Sequence, residues 1–310
     1  MLSRVAEKLY WAARYIERIE NTARLIRSYN LLIFDIPYGS EPSWMILVEI
    51  LDGAEQFKKF YSDTAEQNVH KFLISRKRGK NSLYFSINQA RENIRATRDV
   101  LPEDAWELIN EIFLYISLQA KRTSSRRSRL IFLEKVIHQT QTLSGLLETT
   151  VYRDHTYGFM KLGFMTERAD MTTRVLQVGA RDIIEREGIF SSIDPILWAA
   201  LLETLSAKNS FRRLIGPIIE KDPVIDFIIK EQSFPRSIFY CLNEARNLLA
   251  QLPNNLETIF LLDKVKRKIK RFKSNNSDQK AIDRFVSSLQ SSLTQLDLLI
   301  YEQWFQGGKH

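Results

Sequence analysis

Apolar residues in the first thirty positions recur at three- and four-residue spacing: Leu2, Val5, Leu9, Ala12, Ala13, Ile16, Ile19, Ala23 and Ile26. That period predicts one long helix, uninterrupted by Gly or Pro until Pro37. A loop with strong breakers follows at Tyr38-Gly39-Ser40-Glu41-Pro42-Ser43, and Ser43 is placed to cap a helix from Trp44 to Leu51. The same spacing predicts helices over Phe57–Tyr61, Ala65–Ile74, Ser82–Val100, Glu103–Lys121 and Leu130–Val151. Arg122–Arg129, RTSSRRSR, is polar throughout and is expected to be a flexible connection. Strand patterning is weak everywhere, because the β-branched residues fall inside helical periods.

The pattern then repeats. Glu17-Arg18-Ile19-Glu20-Asn21-Thr22-Ala23-Arg24-Leu25 corresponds to Glu167-Arg168-Ala169-Asp170-Met171-Thr172-Thr173-Arg174-Val175. Trp44, Glu49 and Leu51 correspond to Trp198, Glu203 and Leu205. Val69, Phe72, Leu73 and Ile74 correspond to Val224, Phe227, Ile228 and Ile229, Asn88–Arg91 to Asn243–Arg246, and Leu101-Pro102 to Leu252-Pro253. Matches in one order at nearly constant separation predict an all-α helical bundle of two tandem, internally homologous halves, residues 1–150 and 151–310.

Composition agrees with helices and supplies little chemistry. Glycine is 11 and proline 8 of 310 residues, so few turns are encoded, and 44% hydrophobic residues suffice for a core. One cysteine excludes a disulfide framework. No apolar run is long enough to span a bilayer, and the N-terminus is charged from Arg4 onward without a signal-peptide core. A cytoplasmic location is therefore expected.

The unusual feature is polar. On a wheel of about 100° per residue with Leu9 at zero, the apolar stripe centres near about −30°, Glu20 falls inside it near about +20°, and Arg24 and Glu17 lie on its border. Asp170, Arg174 and Glu167 take the matching positions in the second copy, with Ala13 and Gly163 leaving room beside the charges. Buried charges are costly unless paired. Two readings stay open. In one, the i,i+4 pairs Glu20–Arg24 and Asp170–Arg174 only fix helix packing. In the other, a polar centre between helices holds a ligand, with Arg14, Arg18, Asn21, Arg91, Arg168 and Arg246 contributing. Glu17, Glu20, Glu167 and Asp170 are then the acid–base candidates, should burial raise one of them.

Met1–Trp11, followed by Arg14-Tyr15-Ile16-Glu17-Arg18-Ile19-Glu20-Asn21-Thr22-Ala23-Arg24, closely resembles the opening of the bacterial Alpha-E domain family. Ala90–Arg95, Trp106–Glu111, Arg153-Asp154 and Glu167–Asp170 with Thr173-Arg174 resemble later pieces of it. Ala12-Ala13 stands where that pattern usually carries a glycine. The resemblance covers essentially the whole chain and implies an all-helical protein. It also implies association with circularly permuted ATP-grasp ligase-like and transglutaminase-like proteins, hence an accessory or substrate-binding role in forming or processing a peptide or amide bond, with a peptide as ligand. The family's resemblance carries no catalytic residue. The alternatives are an enzyme acting on the peptide or amide product through the carboxylates above, and a purely structural interaction module.

Motifs exclude more than they add. There is no GxGxxG, and Gly158–Gly163 has P-loop spacing but is followed by Phe164-Met165, so no cofactor is expected. None of His70, His138, His155 and His310 follows a Glu at three residues; Glu66/His70 and Glu134/His138 are spaced by four, and no metal site is expected. Cys241 sits in the apolar segment Ile238–Leu242 and reads as an inert core thiol. The net charge is +8, and basic runs occur at Arg76–Lys80, Lys121–Arg129 and Lys264–Lys273. No nucleic-acid fold signature accompanies them, so solvated helix faces or an acidic partner are expected instead of nucleic acid.

Overall fold

The computed structural model describes residues 3–185, 193–276 and 278–306. Met1, Leu2 and His310 lie outside them. Among the described residues every regular element is helical and none is a strand. Helix α1 (Ser3–Asp35) has no Gly or Pro. It is followed by α2 (Met45–Ile50), α3 (Ala54–Lys58), α4 (Glu66–His70) continued by a π-turn at Lys71–Ser75, α5 (Leu83–Arg95), α6 (Glu103–Gln119) and α7 (Arg126–Thr150). Helix α8 (His155–Arg174) runs through a π-turn at Val175–Gly179 into α9 (Ala180–Glu185). Then come α10 (Asp194–Thr204), α11 (Lys208–Leu214), α12 (Lys221–Lys230), α13 (Ile238–Leu249), α14 (Leu256–Arg271) and α15 (Gln279–Ile300), the last closed by a π-turn at Tyr301–Phe305.

Helices α1, α5, α6 and α7 form one ring of packing neighbours, and α8, α13, α14 and α15 form another. The rings meet where α1 packs along α8. Helix α1 also packs on α10, so it is enclosed on most sides, with Leu9, Ala13, Ile19, Ala23 and Ile26 fully buried. Gly163 makes the close crossing possible: a Cβ there would stand 2.3 Å from the Tyr10 carbonyl oxygen and 3.1 Å from Ala13 Cβ. The space expected beside the charges is thus taken by helix backbone.

Local details recur between the rings. Helices α2 and α10 each end on a non-glycine residue in the left-handed region, Asp52 (φ 56°) and Ser206 (φ 54°). In both, the next amide reaches back to close the helix end, Gly53 N–H to Val48 C=O at 2.9 Å and Ala207 N–H to Leu202 C=O at 2.7 Å. Ser82 and Ser237 cap α5 and α13, accepting from the Phe85 and Tyr240 amides at 3.0 and 3.1 Å. Phe57 meets Phe72 edge to face at 5.3 Å, and Phe211 meets Phe227 at 5.5 Å.

The basic segment before α7 departs from expectation. Ser125 caps the helix and residues 126–129 already belong to it. Arg129 is 1% exposed, donating to Asn30 Oδ1 at 2.8 and 2.9 Å, to Thr123 C=O and to Glu66. The buried acceptors turn an apparent linker into the first turn of a helix.

Candidate functional site

The two Glu-Arg dipeptides of α1 and α8 pair across the crossing. Arg168 donates to Glu17 through Nε at 2.9 Å and Nη2 at 2.7 Å. Reciprocally, Arg18 grips both oxygens of Glu167, Nη2 lying 2.9 Å from Oε2. Such two-pronged pairs are among the strongest protein hydrogen bonds. Glu17 and Glu167 are 1% and 0% exposed, so each requires further donors. Glu17 accepts from Asn21 at 3.1 Å and from Arg236 Nη1 at 3.0 Å. Glu167 accepts from Arg14 Nε at 2.8 Å. Arg14 and Tyr10 both donate to Asp297 of α15, and the Tyr10 hydroxyl lies 3.0 Å from Thr166 Oγ1.

The outer members sit one helical turn on. Arg24 Nε donates to Glu20 at 2.9 Å and Arg174 Nε to Asp170 at 3.0 Å. Each arginine also reaches the left-handed residue of the opposite ring. Arg24 donates to Ser206 Oγ at 2.6 Å, and Arg174 Nη1 lies 3.6 Å from Asp52 Oδ2. Arg236 adds a second guanidinium to Glu20 at 2.8 Å. Ten of the twelve residues marked by the sequence therefore meet here: Arg14, Glu17, Arg18, Glu20, Asn21, Arg24, Glu167, Arg168 and the Asp170–Arg174 pair beside them.

Arg91 and Arg246 do not join them. Arg91 donates to Asn110 and Glu92 and lies over the Trp106 ring, while Arg246 pairs with Asp263 at 2.6 Å. Both face the third helix of their own ring, because α5 and α13 turn those positions away from the crossing. Three members carried no sequence signal: Tyr10 reads as one of several helix aromatics, and Arg236 and Asp297 lie far along the chain from the acids or arginines they serve.

Burial by itself would raise the Glu17 and Glu167 carboxyls. The guanidiniums of Arg168 and Arg236, and of Arg18 and Arg14, outweigh it and hold both well below the ordinary 4.5. A carboxyl lowered by folding contributes stability that is present above its unfolded pKa and lost as pH falls through the folded one. Denaturant melts are therefore expected to show stability declining steadily below about pH 4.5. The Glu17→Gln variant is expected to decline less steeply; a wild-type profile flat in that window would contradict the assignment.

Beside the crossing lies a cavity of about 250 Å³. Three cations, Arg18, Lys80 and Arg174, and three anions, Asp52, Glu167 and Asp170, line it. Burial, reinforced by Glu167, pushes the Asp170 carboxyl above its ordinary range. Elsewhere the chemistry is quiet. Cys241 is fully buried, its thiol pushed up to about 12 by burial. His70 packs edge-on to Trp44 and is pushed down to about 3 by burial and then by Arg129, while Glu66 serves Arg129 and Arg126. Arg76 covers the Phe60 ring, and α14 buries Leu262, Val265 and Ile269 while exposing Lys264, Arg267 and Lys268. No helix among the described residues is long and apolar enough to cross a membrane.

A family model described as Alpha-E, a predicted alpha-helical domain with a conserved ER motif, matches residues 1–305. No curated protein and no solved structure matches the chain.

Proposed function

We propose that this chain, which belongs to the Alpha-E family, is a binding protein: an accessory or substrate-holding component of an ATP-grasp-type peptide- or amide-ligase system. The observation that carries the reading is the cavity beside the crossing, where fixed charges of both signs converge on a space large enough for a side chain or chain terminus. A ligand with both charges, such as a peptide, matches such a lining. The family resemblance supports the choice of partners, an ATP-grasp ligase-like protein that supplies nucleotide chemistry and a transglutaminase-like protein acting on the same material. We further read residues 1–150 and 151–310 as tandem copies of one helical unit. The matching helix order, the paired left-handed residues and the reciprocal Glu-Arg contacts support that reading.

Acid–base catalysis by Glu17 or Glu167 is disfavoured. Each is gripped by two arginines and held ionised, so neither has a proton to give near neutral pH. The test is reconstitution with a circularly permuted ATP-grasp ligase-like protein, the partner that the family resemblance implies. A stable complex is expected, with ATP-dependent peptide or amide ligation that requires both proteins. Ligation by the partner alone at the same rate, or turnover by this chain alone, would overturn the proposal.

A further inference from the structure

The cavity has a counterpart across the crossing that is already filled, and the filler indicates what the open one takes. In the second ring the position after the left-handed Ser206 is Ala207, fully buried, and the position before the capping Ser237 is Arg236. The corresponding residues of the first ring are Gly53 and Asn81. The Asn81 amide nitrogen donates to the Leu51 carbonyl and lies 2.8 Å from where a Cβ on Gly53 would stand. Asn81 is therefore drawn into space that a methyl occupies at Ala207. Arg236 has no such recess and extends inward to Glu20, Glu17 and Asn21. Asn81 does not reach Asp170 as Arg236 reaches Glu20 among the described contacts, and the space stays open as the cavity. The carboxylates differ accordingly. Among the described residues Glu20 has two guanidinium partners, Arg24 and Arg236, and Asp170 has one, Arg174.

We propose that the cavity binds a guanidinium group, as on an arginine side chain of a peptide, against Asp170 in the place that Arg236 holds against Glu20. The inference rests on reading the chain as a peptide-binding protein and names the part of the peptide it grips. Neighbouring cations do not forbid it. Arg236 itself sits among Arg24 and Arg168, because each guanidinium there shares a carboxylate. In the cavity Arg18 is engaged by Glu167, Arg174 lies between Asp170 and Asp52, and Lys80, the third cation of the lining, is exposed, so solvent screens it. The raised Asp170 carboxyl is what a missing second cation would leave, and a bound guanidinium would lower it again.

Calorimetric titration of the isolated full chain with agmatine, L-arginine amide and the neutral isostere L-citrulline amide tests this. Saturable binding of the two guanidinium compounds is expected, at least about tenfold tighter than citrulline amide. Asp170→Asn is expected to weaken it by about tenfold or more. The double variant Gly53→Ala/Asn81→Arg, which supplies both the methyl and the guanidinium of the other ring, is expected to abolish it. No saturable binding, equal binding of citrulline amide, or undiminished binding to a folded Asp170→Asn would each overturn the inference. The assay needs no partner protein. Its failure alongside an active reconstituted complex strikes this inference alone, whereas guanidinium binding with no complex strikes the broader functional reading.

Discussion

Glu167→Gln is expected to destabilise the protein by about 3–5 kcal/mol, because it leaves the buried Arg14 and the half-buried Arg18 facing a neutral amide. The amide keeps the shape and one acceptor oxygen but removes the charge that both Arg14 and Arg18 share. Arg14 keeps Asp297, which is partly exposed, whereas Arg18 has no second carboxylate among the described contacts. The loss is expected to shrink when Arg18→Met is added, since a neutral side chain tolerates the dry site better than an orphaned cation. Arg246→Met provides the comparison. It removes an ion pair outside the crossing, where solvent screens the charges, and is expected to change stability by less than about 1 kcal/mol. Urea titration of the variants checks all three.

The second large effect concerns glycine. Gly163→Ala is expected to cost about 2–3 kcal/mol, although alanine is the better helix former by about 1 kcal/mol. The added methyl would sit 2.3 Å from a backbone oxygen of α1, which cannot rotate away as a side chain would. The two helices must separate, and the Glu-Arg pairs about one turn on from Gly163 lose their register. Gly145, inside α7 five residues before its end, has nothing within 4 Å of its would-be Cβ. Gly145→Ala is therefore expected to stabilise by up to about 1 kcal/mol. Opposite signs from the same substitution in two helices follow from the crossing alone.

Helix α1 was legible because its apolar spacing is unbroken, and the outer pairs Glu20–Arg24 and Asp170–Arg174 because i,i+4 contacts are local. The reciprocal contacts were not. A wheel drawn for one apolar stripe leaves Glu17 on its border, yet α1 is packed by α5, α7, α8 and α10 and has little free border. Which helix faces Glu17 is a property of the fold, so pairing of Arg168 with Glu17 instead of its neighbour Glu167 cannot be read from spacing. Arg236 and Asp297 were invisible for the same reason, since each enters from an element whose place is set by distant packing. The left-handed Asp52 and Ser206 were also hidden, because the signal usual for such a position is glycine.

The two Glu-Arg dipeptides are bonded to each other across the helix crossing. A double-mutant cycle on Arg18→Met and Glu167→Gln measures this bonding, with Arg18→Met and Glu17→Gln as the reference cycle. The geometry predicts a coupling of about 2–3 kcal/mol for the first and less than about 1 kcal/mol for the second. Equal couplings in the two cycles, or none between Arg18 and Glu167, would contradict it.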